Sequence, residues 1–304
     1  MTTKKIELFR RSLKIIAGVG TVSLITINVW PHLFPKYSVN LAHGLPSNMV
    51  KNINPKYQEM LNETCKLMNI DPEKVELTHS KTLSTVSAGC LHFPNKSIVV
   101  LPRNALYTKE EHLVHSGICF NDKQPINWNS KTGKALKEVL IFNDDEIRFL
   151  IGHELTHIQN MDFLYSTAHG VSIYYTFYKL GNLIPKFFKR PAGIGSHIIL
   201  TVAVWLLGAP FYFWTKKPLS HYLEYTADES SANLDENYCI GGISYTRKRL
   251  KLNRILRATS EDGEDTYSEK GNSKRTFDQM SHPKRTERLK KLKDIHLNCY
   301  NKLS

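Results

Sequence analysis

Apolar positions along this chain follow two periods, broken by three runs where they become continuous. Residues 15–34 contain no Asp, Glu, Lys or Arg, and about 20 such residues cross the hydrocarbon core of a bilayer as a helix. A second run covers residues 194–214, with Lys189 and Arg190 before it and Lys216 and Lys217 after. A weaker run, residues 164–184, is interrupted by Lys179. Elsewhere the helical period returns. Ile147, Leu150, Ile151, Leu155 and Ile158 form a buried stripe, and Asn143 with Glu146 three residues later reads as a capping box at its start. Residues 55–69 read as a helix carrying Tyr57, Met60, Leu61, Leu67 and Met68, stopped by Pro72. Residues 246–257 read as a basic amphipathic helix with Leu250, Leu252, Ile255 and Leu256, and residues 97–102 as a short strand after the Pro94-Asn95 turn. The polar, charged stretch 261–276 predicts a flexible loop. The pattern predicts a mainly α chain with a small β-sheet, an α+β fold.

The first apolar run follows Lys4, Lys5, Arg10, Arg11 and Lys14, and Trp30 would sit at the far interface. A cleaved signal peptide shares the charged start and apolar core. No A-x-A-like site follows closely, so a retained transmembrane anchor is expected. Runs 164–184 and 194–214 predict a hydrophobic hairpin. It either crosses the membrane with Lys186, Lys189 and Arg190 in its loop, or stays uncrossed and packs against protein. The positive-inside rule favours crossing, with both basic clusters on one side.

Charge narrows the partners. The 304 residues carry a formal net charge of +13 and are 41% hydrophobic, ample for a core. No nucleic-acid module accompanies that charge, so no nucleic-acid partner is expected. Basic residues flank the apolar runs instead, which suits an anionic membrane surface. Five cysteines, scattered, odd in number and without C-x-x-C spacing, argue against a disulfide framework and a cysteine zinc site.

The candidate chemistry lies in His153-Glu154-Leu155-Thr156-His157. Histidines four apart share one helix face and can converge on one zinc ion, with Glu154 beside them to accept a proton from a zinc-bound water. Catalytic zinc takes three protein ligands. The best third is Glu224, on a helix that Ser220 could cap. Asp228, one turn on, is placed to hold a ligand histidine by its other ring nitrogen.

Three motifs in order resemble the membrane-associated gluzincin metalloproteases that include the HtpX heat-shock protease, the CaaX prenyl protease and the mitochondrial inner-membrane stress protease. They are His153-Glu-x-x-His157, Glu224-x-x-Ala227-Asp228, and Ser281-His282-Pro283 followed by Arg288. The resemblance covers roughly the second half of the chain. It implies a gluzincin-type catalytic domain, one zinc per chain on His153, His157 and Glu224, Glu154 as general base, and Asp228 as orienter of a ligand. It also implies that His282 and Arg288 lie near the substrate carbonyl. From the residues alone, His282 could equally precede the C-terminal helix, and Arg288 could belong to a solvated basic face. The first half matches weakly, with Ser87-Ala88-Gly89-Cys90 where the family shows an edge strand.

The expected function is zinc-dependent endoproteolysis of membrane or membrane-near proteins, with peptide adding to an edge strand near Ala88 or Ile98. The alternative is a non-catalytic zinc-binding membrane scaffold or adaptor. The expected division is a basic tail (1–14), an anchor (15–34), a first part of the catalytic domain with the metal helix (35–163), the hairpin (164–217) and a second part with the third ligand (218–304). His157 and Glu224 must share a side, so an even number of crossings separates them. That places the domain on the non-cytoplasmic side: periplasm, organelle lumen or intermembrane space. Protein or peptide substrate and membrane are the expected partners; the oligomeric state stays open.

Overall fold

The capping box forms as the sequence predicts. Asn143 Oδ1 accepts from the Glu146 amide at 2.8 Å, and Glu146 Oε2 accepts from the Asn143 amide at 2.9 Å. This start fixes the helix at the centre of the molecule. The computed structural model describes residues 3–43, 53–116, 118–120, 124–187 and 194–300. In order the elements are α1 (Thr3–Leu33), α2 (Pro35–His43), α3 (Pro55–Leu67), β1 (Val75–His79), β2 (Val86–Ala88), β3 (Ser97–Leu101), α4 (Glu110–Val114), β4 (Cys119–Phe120) and β5 (Gln124–Pro125). There follow α5 (Lys131–Leu140), α6 (Asp144–Gln159), α7 (Asp162–Phe187), α8 (Ile194–Ala232), α9 (Glu236–Thr259), α10 (Gly263–Thr266), α11 (Thr276–Ser281) and α12 (Arg285–Cys299). The fold is mostly helical, with a three-stranded sheet in the order β1-β3-β2, β1 parallel and β2 antiparallel to β3.

Helix α6 carries the core stripe. Ile147, Ile151 and Leu155 are fully buried and pack with Leu61, Leu77, Val99 and Leu292. At about 25 cal/mol per Å² of apolar area this burial is the main term holding α3, the sheet, α9 and α12 around α6. Close approach is built in at Gly241 of α9, where an added Cβ would lie 2.0 Å from the Asp145 carbonyl oxygen. Glu146, fully buried, accepts from Lys248 Nζ at 2.9 Å and so ties α6 to α9.

Helices α1, α7 and α8 form an apolar bundle beside this domain. Contacts of Gly181 with Trp205, Gly208 with Phe177 and Gly170 with Tyr212 run in opposite directions along α7 and α8, so the two are antiparallel. Tyr174 Oη donates to the Ile16 carbonyl at 3.3 Å and joins α1. Ile15, Val22, Ile199, Leu206 and Trp214 face outward. Over Arg11–Leu33 and Ile198–Ala232 the helices are long and apolar enough to cross a membrane. Among the described residues α7 does not reach that mark; it carries Lys179 and a row of tyrosines.

Several expectations change. Ser220 does not cap a helix, because α8 continues without a break from Ile194 through both Glu224 and Asp228. The apolar run predicted at 194–214 is therefore only the first part of a helix whose last turns reach the metal candidates. Residues 261–276 are not a featureless loop. Tyr267 bridges Ser273, Gly271 turns at φ 84°, and Asn253 Nδ2 donates to its carbonyl at 2.7 Å. Composition does not show such local hydrogen bonds. Leu67 is half exposed rather than in the core face of α3. The predicted basic helix 246–257 is the second half of α9. Lys189 and Arg190 of the expected hairpin loop lie outside the described residues.

Candidate metal centre

One turn apart on α6, His153 and His157 point at the same space, and α8 brings Glu224 to it. One donor atom from each lies within 4.8 Å of the others. Gly152 makes this possible. An added Cβ there would meet Ser231 Oγ of α8 at 2.5 Å, and that hydroxyl donates to the Phe149 carbonyl at 2.9 Å. The two helices therefore touch beside the histidines.

Each imidazole is held from behind. His153 Nδ1 lies 3.0 Å from Asp228 Oδ1, and His157 Nδ1 lies 2.6 Å from Asp162 Oδ2. In a neutral imidazole the ring nitrogen facing a carboxylate is the one placed to carry the proton, which turns Nε2 of each ring towards the shared space as the available donor atom. The two Nε2 atoms then face each other at 3.2 Å. Two lone pairs at that distance repel unless a cation or a shared proton lies between them. Glu224 stands 3.8 Å from both Nε2 atoms. The donor set of two imidazoles and a carboxylate, each imidazole backed by a carboxylate, suits zinc. Burial pulls the His157 imidazole down, but the hydrogen bond to Asp162 and the charges of Glu224 and Glu154 outweigh it and push it up to about 9. The same negative field that holds that proton would hold a metal.

Arg288 of α12 locks the carboxylates. It is buried, and its Nε and Nη2 fork onto Asp228 at 2.7 and 2.6 Å while Nη1 reaches Glu224 at 2.9 Å. Burial works against its charge, but Asp228 and Glu224 hold the guanidinium well above its ordinary range. Arg288 is thus no solvated face; it lines the cavity while bonded to Asp228 behind His153 and to Glu224. His282 ends α11 as its C-cap, and its Nδ1 sits 3.0 Å from Glu224 Oε1 on the open side of the centre. Glu154 is buried and lines the same cavity, of about 680 Å³. Asp162 was not among the sequence candidates; its signal was an acid five residues after His157, just past the end of the metal helix. Arg249 and Arg285, which also line the cavity, carried no motif at all. Burial and the neighbouring Arg249 charge pull Arg285 down to about 10.

A family model described as Transmembrane protein 177 matches residues 29–300. The chain belongs to the Transmembrane protein 177 family. A Transmembrane protein 177 from Xenopus laevis is 26% identical over 271 residues, covering 84% of this chain and 84% of the relative. The Danio rerio protein of that name is 23% identical over 277 residues, with 84% of each covered. The Homo sapiens protein is 24% identical over 255 residues, with 79% of this chain and 78% of the relative covered. This membership overturns the reading as a gluzincin protease of the HtpX group, and with it the assignments as hydrolase, metalloprotease and zinc endopeptidase with a protein substrate. The relatives are named as transmembrane proteins, not as proteases. The three short motifs report a pair of helices that place two histidines and a carboxylate together. Family is decided by the whole length, including the bundle and first half, where the protease pattern matched weakly. Transmembrane protein 177 membership and the two apolar helices make this a membrane protein.

Proposed function

We propose that this chain is a non-catalytic, zinc-binding membrane protein, acting as a scaffold or adaptor whose partner-facing domain is set by the metal. One zinc per chain would be held by His153, His157 and Glu224, with Asp228 and Asp162 orienting the histidines and Arg288 orienting the carboxylates. The observation that supports this reading is the pair of Nε2 atoms facing each other at 3.2 Å while both Nδ1 atoms face carboxylates. Bound there, zinc neutralises the converging lone pairs and staples α6 to the last turns of α8. The bundle and the domain are then one rigid unit, because α8 runs through both. In this reading Glu154 adds negative charge beside the centre.

The domain sits at the C-terminal end of α1: Asn28 and His32 line the cavity, and the His32 ring stacks on Phe163 with centroids 4.0 Å apart. The basic residues of α1 lie at its other end, which under the positive-inside rule puts the domain on the non-cytoplasmic side.

The test is metal content and stability of the purified full-length protein. Wild type is expected to carry one zinc per chain, and stripping with a chelator should lower its melting temperature. A ligand bound at about 1,000 times its Kd stabilises by about 4 kcal/mol. His153→Ala and Glu224→Ala should lose the metal. A metal-free wild type whose melting temperature ignores both zinc and chelator sinks the proposal.

A further inference from the structure

Two guanidiniums at the cavity form no ion pair among the described residues; the carboxylate whose charge reaches Arg285, Glu224, is already bonded to Arg288. Arg249 of α9 buries Nε and Nη1 without a hydrogen-bond partner among the described residues. Arg285, the first residue of α12, likewise forms no ion pair among them. Arg288, one turn further on, is bonded to two carboxylates instead. Desolvating cations side by side without a counter-charge is costly.

Arg249 and Arg285 both line the 680 Å³ cavity and also a neighbouring one of about 490 Å³, so they form the wall between the two. The second cavity adds Lys217, Arg275 and Lys284. Its two carboxylates are engaged: Asp278 accepts from Ser273 Oγ at 2.7 Å, and Glu287 accepts from Tyr225 Oη at 3.2 Å and offsets Lys284, whose Nζ lies 3.9 Å away. The surplus in the second cavity is positive and focused on a half-buried wall.

We propose that Arg249 and Arg285 form a binding site for a phosphate group. Each guanidinium presents a planar fork of N–H donors that matches two adjacent anionic oxygens. A carboxylate has only two oxygens and saturates one fork, whereas a tetrahedral phosphate offers enough oxygens for both. Lys216, just past the apolar run 194–214 of α8, lines the first cavity and brings its mouth to the end of that run. The phosphate can therefore come from a lipid headgroup or from a soluble phosphate compound. The site does not depend on the metal.

The test reads the wild-type, full-length protein. Phenylglyoxal modification of Arg249 and Arg285 is followed by peptide mass spectrometry, in chelator-treated and zinc-supplemented samples alike. One arm adds inorganic phosphate to detergent-solubilised protein, against chloride at matched ionic strength. The other uses phosphatidylcholine vesicles with and without phosphatidic acid. The expected result is slowing of modification at both arginines by about tenfold, the factor that 1.4 kcal/mol corresponds to. Protection by inorganic phosphate assigns the site to soluble phosphates; protection by phosphatidic acid alone assigns it to lipid headgroups. No protection in either arm overturns the proposal. As a second measurement, phosphate or phosphatidic acid should raise the melting temperature of wild type but not of the Arg249→Gln, Arg285→Gln double variant. An equal rise in both proteins overturns it too.

Discussion

At the scale of single residues, the candidate centre depends on side chains that are not themselves candidate ligands. Arg288 donates three short hydrogen bonds to Asp228 and Glu224. A lysine keeps the charge but cannot fork onto one carboxylate while reaching the other. Arg288→Lys is therefore expected to weaken zinc binding by about 10–100-fold, the usual cost of losing an outer partner, with the fold retained. Competition with a chromophoric chelator measures it, and unchanged affinity would remove Arg288 from the centre. His79 makes a different prediction. It is buried against Tyr57, and burial pulls its imidazole down to about 4. The folded protein holds it neutral while the unfolded chain takes up a proton near pH 6.5. Its contribution is full above pH 6.5 and is lost as pH falls towards 4, by up to about 3 kcal/mol. His79→Gln should flatten the acid limb of the stability profile in that window. An unaltered slope would show that His79 does not titrate there.

At the scale of elements, contact between helices is set by positions that lack a side chain. Alanine at Gly241 would drive its Cβ into the backbone of α6, where no rotamer can give way. Gly241→Ala is expected to destabilise by about 1–3 kcal/mol, as overpacking does. Gly18 has nothing within 4 Å of an added Cβ, so Gly18→Ala serves as the control and should leave the melting temperature near wild type. The pair Glu146 and Lys248 is the other tie between α6 and α9. Truncating Lys248 to alanine leaves a buried carboxylate unpaired, a change that typically costs about 3–5 kcal/mol. Urea unfolding in detergent would read both effects, and a neutral Lys248→Ala would mean that Glu146 is satisfied by its capping bond and by Ser244 Oγ.

At the scale of the whole molecule, the bundle fixes where the metal domain lies. The domain meets the C-terminal end of α1, and α7 and α8 are antiparallel, so the C-terminal end of α7 and the N-terminal end of α8 lie at the end of the bundle away from the domain. Single cysteines at Ser130 and Lys189, in a background lacking the native five, should react oppositely with an impermeant thiol reagent in sealed vesicles. Equal labelling from one side would leave the bundle uncrossed and α1 as the anchor.

The sequence by itself determined what short-range patterns encode. The apolar runs, the capping box at Asn143, the core stripe of α6 and the strand β3 follow from periodicity and local hydrogen bonding, while the pairing of β3 with β1 and β2 does not. Helical spacing paired His153 with His157 and Glu224 with Asp228, because residues four apart on a helix share a face; that these pairs meet one another, His282 and Arg288 was only what the resemblance implied. Tertiary structure decided the rest. It showed α8 as one helix joining bundle and centre, Arg288 buried against carboxylates, and Asp162 behind His157. It also left Arg249 and Arg285 facing a cavity with no ion pair among the described residues. Each of these depends on which helices touch, through a glycine here and a buried ion pair there, and no local period carries that information. The same limit explains the protease reading. Three short motifs specify a local arrangement of ligands, while family is carried by the whole length of the chain.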